Sequence, residues 1–240
     1  MVDFPTFEAN VARVRERIAS ACARCGRGND EVLLLPVTKN HSAEAPLFAQ
    51  RAGFFAVGEN RVQEVAEKKP QFLAAVGTQN LSWELIGHLQ SNKAKKAVEL
   101  FDRIQSVDSE NLISKLDNAC KTLGRERLPI LLQANPGCDP AKFGTADLDS
   151  LKKLVDAALA SKHLQLDGFM CVAPIDDDSL SVAAKAFETL RTWRDQLASE
   201  YKTAFPQLSM GMSHDLEPAI AAGTTMVRIG TALFGERVYL

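Results

Sequence analysis

Residues 224–235 read Thr-Thr-Met-Val-Arg-Ile-Gly-Thr-Ala-Leu-Phe-Gly, and residues 209–215 ahead of them read Ser-Met-Gly-Met-Ser-His-Asp. Thr225 to Ile229 has the β-branched character of a short strand, and Gly230 with Thr231 then opens a helix. Glycine leaves the backbone open to an anion, and the free N–H groups of a first helical turn hold a phosphate there. Arg228, one residue back from the mouth of the strand, and Ser213, on the preceding segment, are further candidate donors. A phosphate site after the last strand is a feature of (β/α)8 barrels.

The rest of the chain supports that architecture. Strand candidates run at Val32–Thr38, Phe54–Val57, Trp83–Ile86, Arg103–Val107, Pro129–Asn135, Leu164–Val172, Leu208–Met210 and Met226–Ile229. Helical patterns separate them, among them Asp108–Gly124, Asp147–Ser161 and Ser179–Thr203. Asp108 or Ser109 and Asp147 are candidate N-caps, and Gly53, Gly124 and Gly223 stand where helices end. Alternating strands and helices imply a parallel sheet. Eight units within 240 residues point to a single α/β domain over residues 1–240, a closed (β/α)8 TIM barrel with an extra N-terminal helix.

Composition excludes several classes. The chain is 46% hydrophobic and 24% charged, with a net charge of −2 and a pI near 6.1. That balance gives no reason to expect nucleic-acid binding, and no apolar run approaches the roughly 20 residues needed to span a bilayer. Asp3 and Glu8 in the first segment, without an apolar core, argue against a signal peptide. Five cysteines without even spacing point to a reducing, cytoplasmic setting. Cys22 and Cys25 form a CxxC inside a helical stretch and are expected to pack rather than bind metal.

The strand ends gather Lys39, Asn60, His88, Ser213, His214, Arg228, Gly230 and Thr231 on one face of such a barrel. Lys39 ends the apolar run Leu-Leu-Leu-Pro-Val-Thr-Lys. A lysine that loses hydration at a barrel mouth favours its neutral amine, which attacks aldehydes. The alternative is a lysine that snorkels to solvent. An amine at one end and a phosphate cradle at the other fit pyridoxal 5′-phosphate, and they also fit a phosphorylated sugar held by a Schiff-base aldolase.

The runs Val-Thr-Lys at 37–39, Val-Gly-Glu-Asn at 57–60 with Arg-Val-Gln-Glu following, and Ile-Gly-His-Leu-Gln-Ser-Asn-Lys at 86–93 occur in a familiar order. Ser-Val-Asp-Ser at 106–109, Lys-Phe-Gly at 142–144, Gly-Phe-Met at 168–170 and the two tail motifs continue it. Together they resemble the YggS/PROSC family of pyridoxal-phosphate-binding proteins, also called PLP homeostasis proteins, from about residue 30 to 237. The resemblance implies one barrel like the N-terminal domain of alanine racemase. It implies that Lys39 forms the Schiff base, that Ser213, Gly230 and Thr231 hold the phosphate, that Arg228 faces the pyridine nitrogen, and that Asn60 lies near the ring. Met170 and Met210 occupy motif positions read as core packing.

Arginine at a pyridine nitrogen stays cationic and only donates, so it weakens the ring as an electron sink. The other reading of Arg228 is a pair with a carboxylate. The sequence also departs from the family: Glu84 breaks an aromatic Trp-His-Phe-Ile-Gly run, Gln105 stands where histidine is common, Ala134 and Pro136 flank Asn135, and Val57 replaces phenylalanine.

Racemisation needs a base on each face of the substrate carbon. The chain stops at Leu240, soon after the eighth unit, and its two tyrosines are Tyr201 and Tyr239. His88 and His214 are the internal alternatives, both read as surface or capping residues. The expectation is a non-catalytic, monomeric carrier that buffers pyridoxal phosphate or delivers it to apo-enzymes. A racemase or lyase of low activity is the alternative. Lys93, Lys95 and Lys96 form a basic run read as a solvated face.

Overall fold

The computed structural model describes residues 1–77, 80–174 and 180–236. Eight parallel strands form one sheet: β1 (Leu33–Pro36), β2 (Ala56–Glu59), β3 (Ser82–Leu85), β4 (Arg103–Val107), β5 (Leu128–Ala134), β6 (Leu164–Cys171), β7 (Gln207–Ser209) and β8 (Met226–Ile229). Their order is β1-β8-β7-β6-β5-β4-β3-β2. Helices α1 (Phe4–Arg24), α2 (Glu44–Arg51), α3 (Val62–Val76), α4 (Ala94–Leu100), α5 (Glu110–Leu123), α6 (Leu148–Ala160), α7 (Ser181–Tyr201), α8 (Leu216–Ala221) and α9 (Thr231–Phe234) complete the (β/α)8 pattern.

The barrel closes at its mouth. Val37 forms a parallel bridge with Gly58, and Thr38 N donates to Gly58 O at 3.0 Å. Below that bridge β1 and β2 share no ladder. Pro36, which has no N–H to give, stands at the point where the pairing stops. The seam is therefore zipped at the C-terminal end and splayed at the other.

Sequence accounts for the elements locally. In β5, Ile130, Leu131 and Leu132 are all fully buried, as an apolar run covered on both faces requires. Ser109, not Asp108, caps α5 by accepting from Leu112 N, and Gly124 ends that helix at φ 67. Asp147 caps α6 through Ser150 N at 2.7 Å. The extra helix α1 buries Phe7, Val11, Val14 and Ile18 as one stripe. Phe7 stacks on Phe234 with ring centroids 4.9 Å apart, and Asn10 Nδ2 donates to Leu233 O at 2.9 Å. Helix α1 thus braces the short helix that follows β8.

All eight expected strands exist, with ends moved by a residue or two except in β4 and β8. The α7 pattern begins at Ser181; its expected first residue, Ser179, lies outside the described residues. Cys22 packs in the core as expected, whereas Cys25 is exposed, because it falls on the C-cap of α1 beyond the buried stripe. Burial pushes the Cys171 thiol up to about 12 and Cys120 up to about 11. No helix among the described residues is long and apolar enough to cross a membrane.

Candidate ligand site at the barrel mouth

The residues singled out by the sequence meet at the C-terminal ends of four neighbouring strands, β7, β8, β1 and β2. Register places them. Pro36 pairs with Ile229 and Val37 N donates to Ile229 O at 2.8 Å, so Lys39 and Gly230 leave adjacent strands side by side. Arg228 N donates to Gly211 O at 3.0 Å, which sets the loop carrying Ser213 beside β8. The Val37–Gly58 bridge brings Asn60 to the other side of Lys39.

Gly230 stands at the N-cap of α9 and has no side-chain cap. A Cβ there would sit 3.2 Å from Val37 O, tighter than a normal contact. Packing therefore favours glycine at this turn, which leaves the N–H groups of Thr231 and Ala232 at an open helix start. Thr231 is exposed, and Ser213 and Asn60 are half-buried. Arg17 of α1 grips Glu217 through two nitrogens and donates to Ser213 O at 3.2 Å, anchoring the serine loop from behind.

A second close approach fixes Asn60. A Cβ on Gly87 would overlap Asn60 O and lie 2.8 Å from Asn60 Cα. The ends of β2 and β3 can touch this way only because residue 87 is glycine.

Arg228 is 4% exposed and lies inside the barrel. Its Nη1 donates to Ser209 O and Ser209 Oγ, each at 2.7 Å, and its Nη2 donates to Cys171 O at 2.8 Å. A guanidinium carries more donors than these contacts use. Carboxylate pairing, the other reading of this residue, is not what holds it among the described residues: its hydrogen-bond partners there are two carbonyls and a hydroxyl. Burial pushes its pKa down from the ordinary arginine value, opposed by Cys171 and Asp215.

A polar chain continues from Arg228 through the barrel interior. Ser209 Oγ donates to Gln105 Oε1 at 2.6 Å, Gln105 Nε2 to Glu84 Oε2 at 2.6 Å, and Arg103 Nη1 to Glu84 Oε1 at 3.2 Å. Burial pushes the Glu84 carboxyl above its usual range, opposed by Arg103. Two of the departures from the family pattern, Glu84 and Gln105, are thus partners of each other.

Sequence reasoning missed a second cluster beside Lys39. Lys68 of α3 is 4% exposed and forms ion pairs with Glu59 at 2.6 Å and Glu64 at 2.8 Å. The only sequence signal was the i, i+4 spacing of Glu64 and Lys68, which ordinarily marks a surface pair.

The remaining candidates fall around or away from the mouth. His88 Nδ1 lies 3.2 Å from Asp108 Oδ2, and its ring stacks on Phe143 at 3.8 Å. Lys93 shares a cleft of about 250 Å3 with Asn60, Arg61 and His88, while Lys95, Lys96 and His214 are exposed. Met170 and Met210 are fully buried. Tyr201 donates to Asp156 Oδ1 at 2.5 Å between two outer helices, with its pKa raised to about 12; Tyr239 lies outside the described residues. A cavity of about 820 Å3 opens at the opposite end of the barrel, where β1 and β2 splay; Leu33, Phe55, Glu84 and Arg103 are among the residues that line it.

Known proteins resemble this chain in sequence and fold. The sequence profile of the family described as alanine racemase, N-terminal domain, matches residues 2–238. A "Pyridoxal phosphate homeostasis protein" of Aquifex aeolicus is 38% identical over 231 residues, covering 95% of this chain and 97% of that protein. Its Escherichia coli K12 namesake is 38% identical over 233 residues, 96% of each chain. The structure of PipY from Synechococcus elongatus PCC7942 with PLP bound superposes with a TM-score of 0.78 at 37% identity, covering 91% of this chain and all of that one. Alanine racemase of Clostridium difficile, 15% identical with a TM-score of 0.77 over 97% of this chain and 57% of its own, shares the fold.

Proposed function

Since this chain belongs to the pyridoxal phosphate homeostasis proteins, within the alanine racemase N-terminal domain family, we propose that it binds pyridoxal 5′-phosphate reversibly on Lys39 and buffers or delivers it. The observation that carries this reading is the β1–β8 register, which pairs Leu35 with Arg228 and Pro36 with Ile229, so that the chain leaves β1 toward Lys39 next to the turn at Gly230 although the two come from opposite ends of the sequence.

The cofactor supplies an aldehyde and a phosphate on one ring, and the residues at the mouth match both ends. Lys39 condenses with the aldehyde through its amine, with loss of water. The uncapped N–H groups after Gly230 bind the phosphate, joined by the Thr231 and Ser213 hydroxyls. Arg228 keeps donors beyond its three protein contacts and offers one to the ring nitrogen without supplying a proton. Asn60 flanks the ring.

A carrier role also fits the placement of the acid–base candidates. Tyr201 is bound to Asp156 on the outer helices, and His88 is engaged by Asp108 and Phe143. In this reading the protein works as a cytoplasmic monomer over its one barrel domain and hands its cofactor to apo-enzymes.

Titration of the purified chain with pyridoxal 5′-phosphate tests the proposal. A visible absorption band that saturates at an equimolar ratio is expected. A band that only tracks free cofactor, without saturation, would overturn it.

A further inference from the structure

The turn that carries Lys39 is gripped on both sides by one buried charge cluster. Lys68 Nζ donates to Thr38 O at 2.9 Å, Glu59 Oε1 at 2.6 Å and Glu64 Oε1 at 2.8 Å. An ammonium has three donors, so all are committed. Thr38 Oγ1 donates to the same Glu59 oxygen at 2.6 Å. Asn40 N donates to the same Glu64 oxygen at 2.6 Å. Residues 38 and 40 are therefore both tied to α3, and the residue between them is Lys39.

The cluster is costly for its location. Asn40 holds φ 60 without being glycine, a backbone conformation that needs support from its surroundings. Glu59 is fully buried, and its Oε2 has no hydrogen-bond partner among the described residues. Burial pushes its carboxyl up, against the opposing pull of Lys68. Apolar side chains of similar volume would join α3 to the barrel at least as well as a buried ion pair does. What the ions add is direction: they fix the backbone at Thr38 and Asn40 in register with β2 and α3. Thr38 gives its hydroxyl to this cluster, and Lys39 is the next residue, in the turn between the two tied positions.

We propose that Lys68, with Glu59 and Glu64, is a positioning clamp that holds the Lys39 amine where the cofactor's aldehyde arrives. The inference rests on the assignment of Lys39 as the bonding lysine. Lys68 acts through the turn and does not touch the ligand.

Affinities for two ligands separate positioning from folding. Pyridoxal 5′-phosphate has the aldehyde; pyridoxine 5′-phosphate has an alcohol in its place and tests only the phosphate and ring contacts. Glu64→Ala and Lys68→Met are expected to weaken the aldehyde ligand by about tenfold and to leave the alcohol nearly unchanged. Glu64→Gln keeps an acceptor for Asn40 N and is expected to retain the wild-type preference. Glu64 lies near the surface, with a side chain 19% exposed, so its variants carry the test if Lys68→Met does not fold. Equal weakening of both ligands, or an unchanged preference for the aldehyde, would overturn the clamp. A wild-type protein with no preference for the aldehyde would instead overturn the Lys39 assignment, and the clamp with it.

Discussion

Lys39→Ala is expected to abolish both the visible absorption of bound pyridoxal 5′-phosphate and the adduct trapped by borohydride. The reason is chemical: alanine removes the one amine that the β1 strand end presents beside Gly230. The helix start after β8 and the Ser213 loop, proposed to hold the phosphate, remain, because they are held independently by α1 through Phe7, Asn10 and Arg17. Weak, colourless binding of the cofactor should therefore survive, and equilibrium dialysis would detect it. Visible absorbance retained in the variant would show that another lysine carries the bond.

Arg228→Met is expected to damage the barrel itself. The substitution keeps apolar bulk but strands Ser209 O and Cys171 O in the interior without the donor that satisfies them. Each unsatisfied buried group costs about 1–3 kcal/mol, for a loss of about 3 kcal/mol in total. In a domain of this size, that lowers Tm by about 9 °C. The Ser209 hydroxyl also loses the donor that orients it toward Gln105. Thermal unfolding without cofactor reads this effect, and an unchanged Tm would show that Arg228 is not structurally tied.

The strand pattern was legible because parallel strands buried on both faces read as short apolar runs. Ends were less legible. Phe54 and Phe55 look like strand residues, yet β2 starts at Ala56, where Ser82 of β3 first becomes available to pair; Phe55 is left 84% exposed. The mouth residues were legible for a related reason: all but Arg228, which lies within β8, follow a strand, and strand ends share one face of a barrel.

The Lys68 cluster was not legible. Glu59 looks like one more letter of a Gly-Glu-Asn motif, and Glu64 with Lys68 looks like a solvated helix pair. Only the packing of α3 against the turn after β1 turns them into a buried unit. Glu84 and Gln105 teach the same lesson. As single departures from a family pattern they had no explanation, and together they form one link of the chain that ends at Arg228.

The central claim is that one lysine, at the end of β1, holds the cofactor. Its most direct test is to reduce the wild-type complex with borohydride, digest it and map the modified peptide by mass spectrometry. A single pyridoxyl-phosphate modification on Lys39 is expected. Modification confined to other lysines, such as Lys93, Lys95 and Lys96, or spread evenly among them, would contradict it.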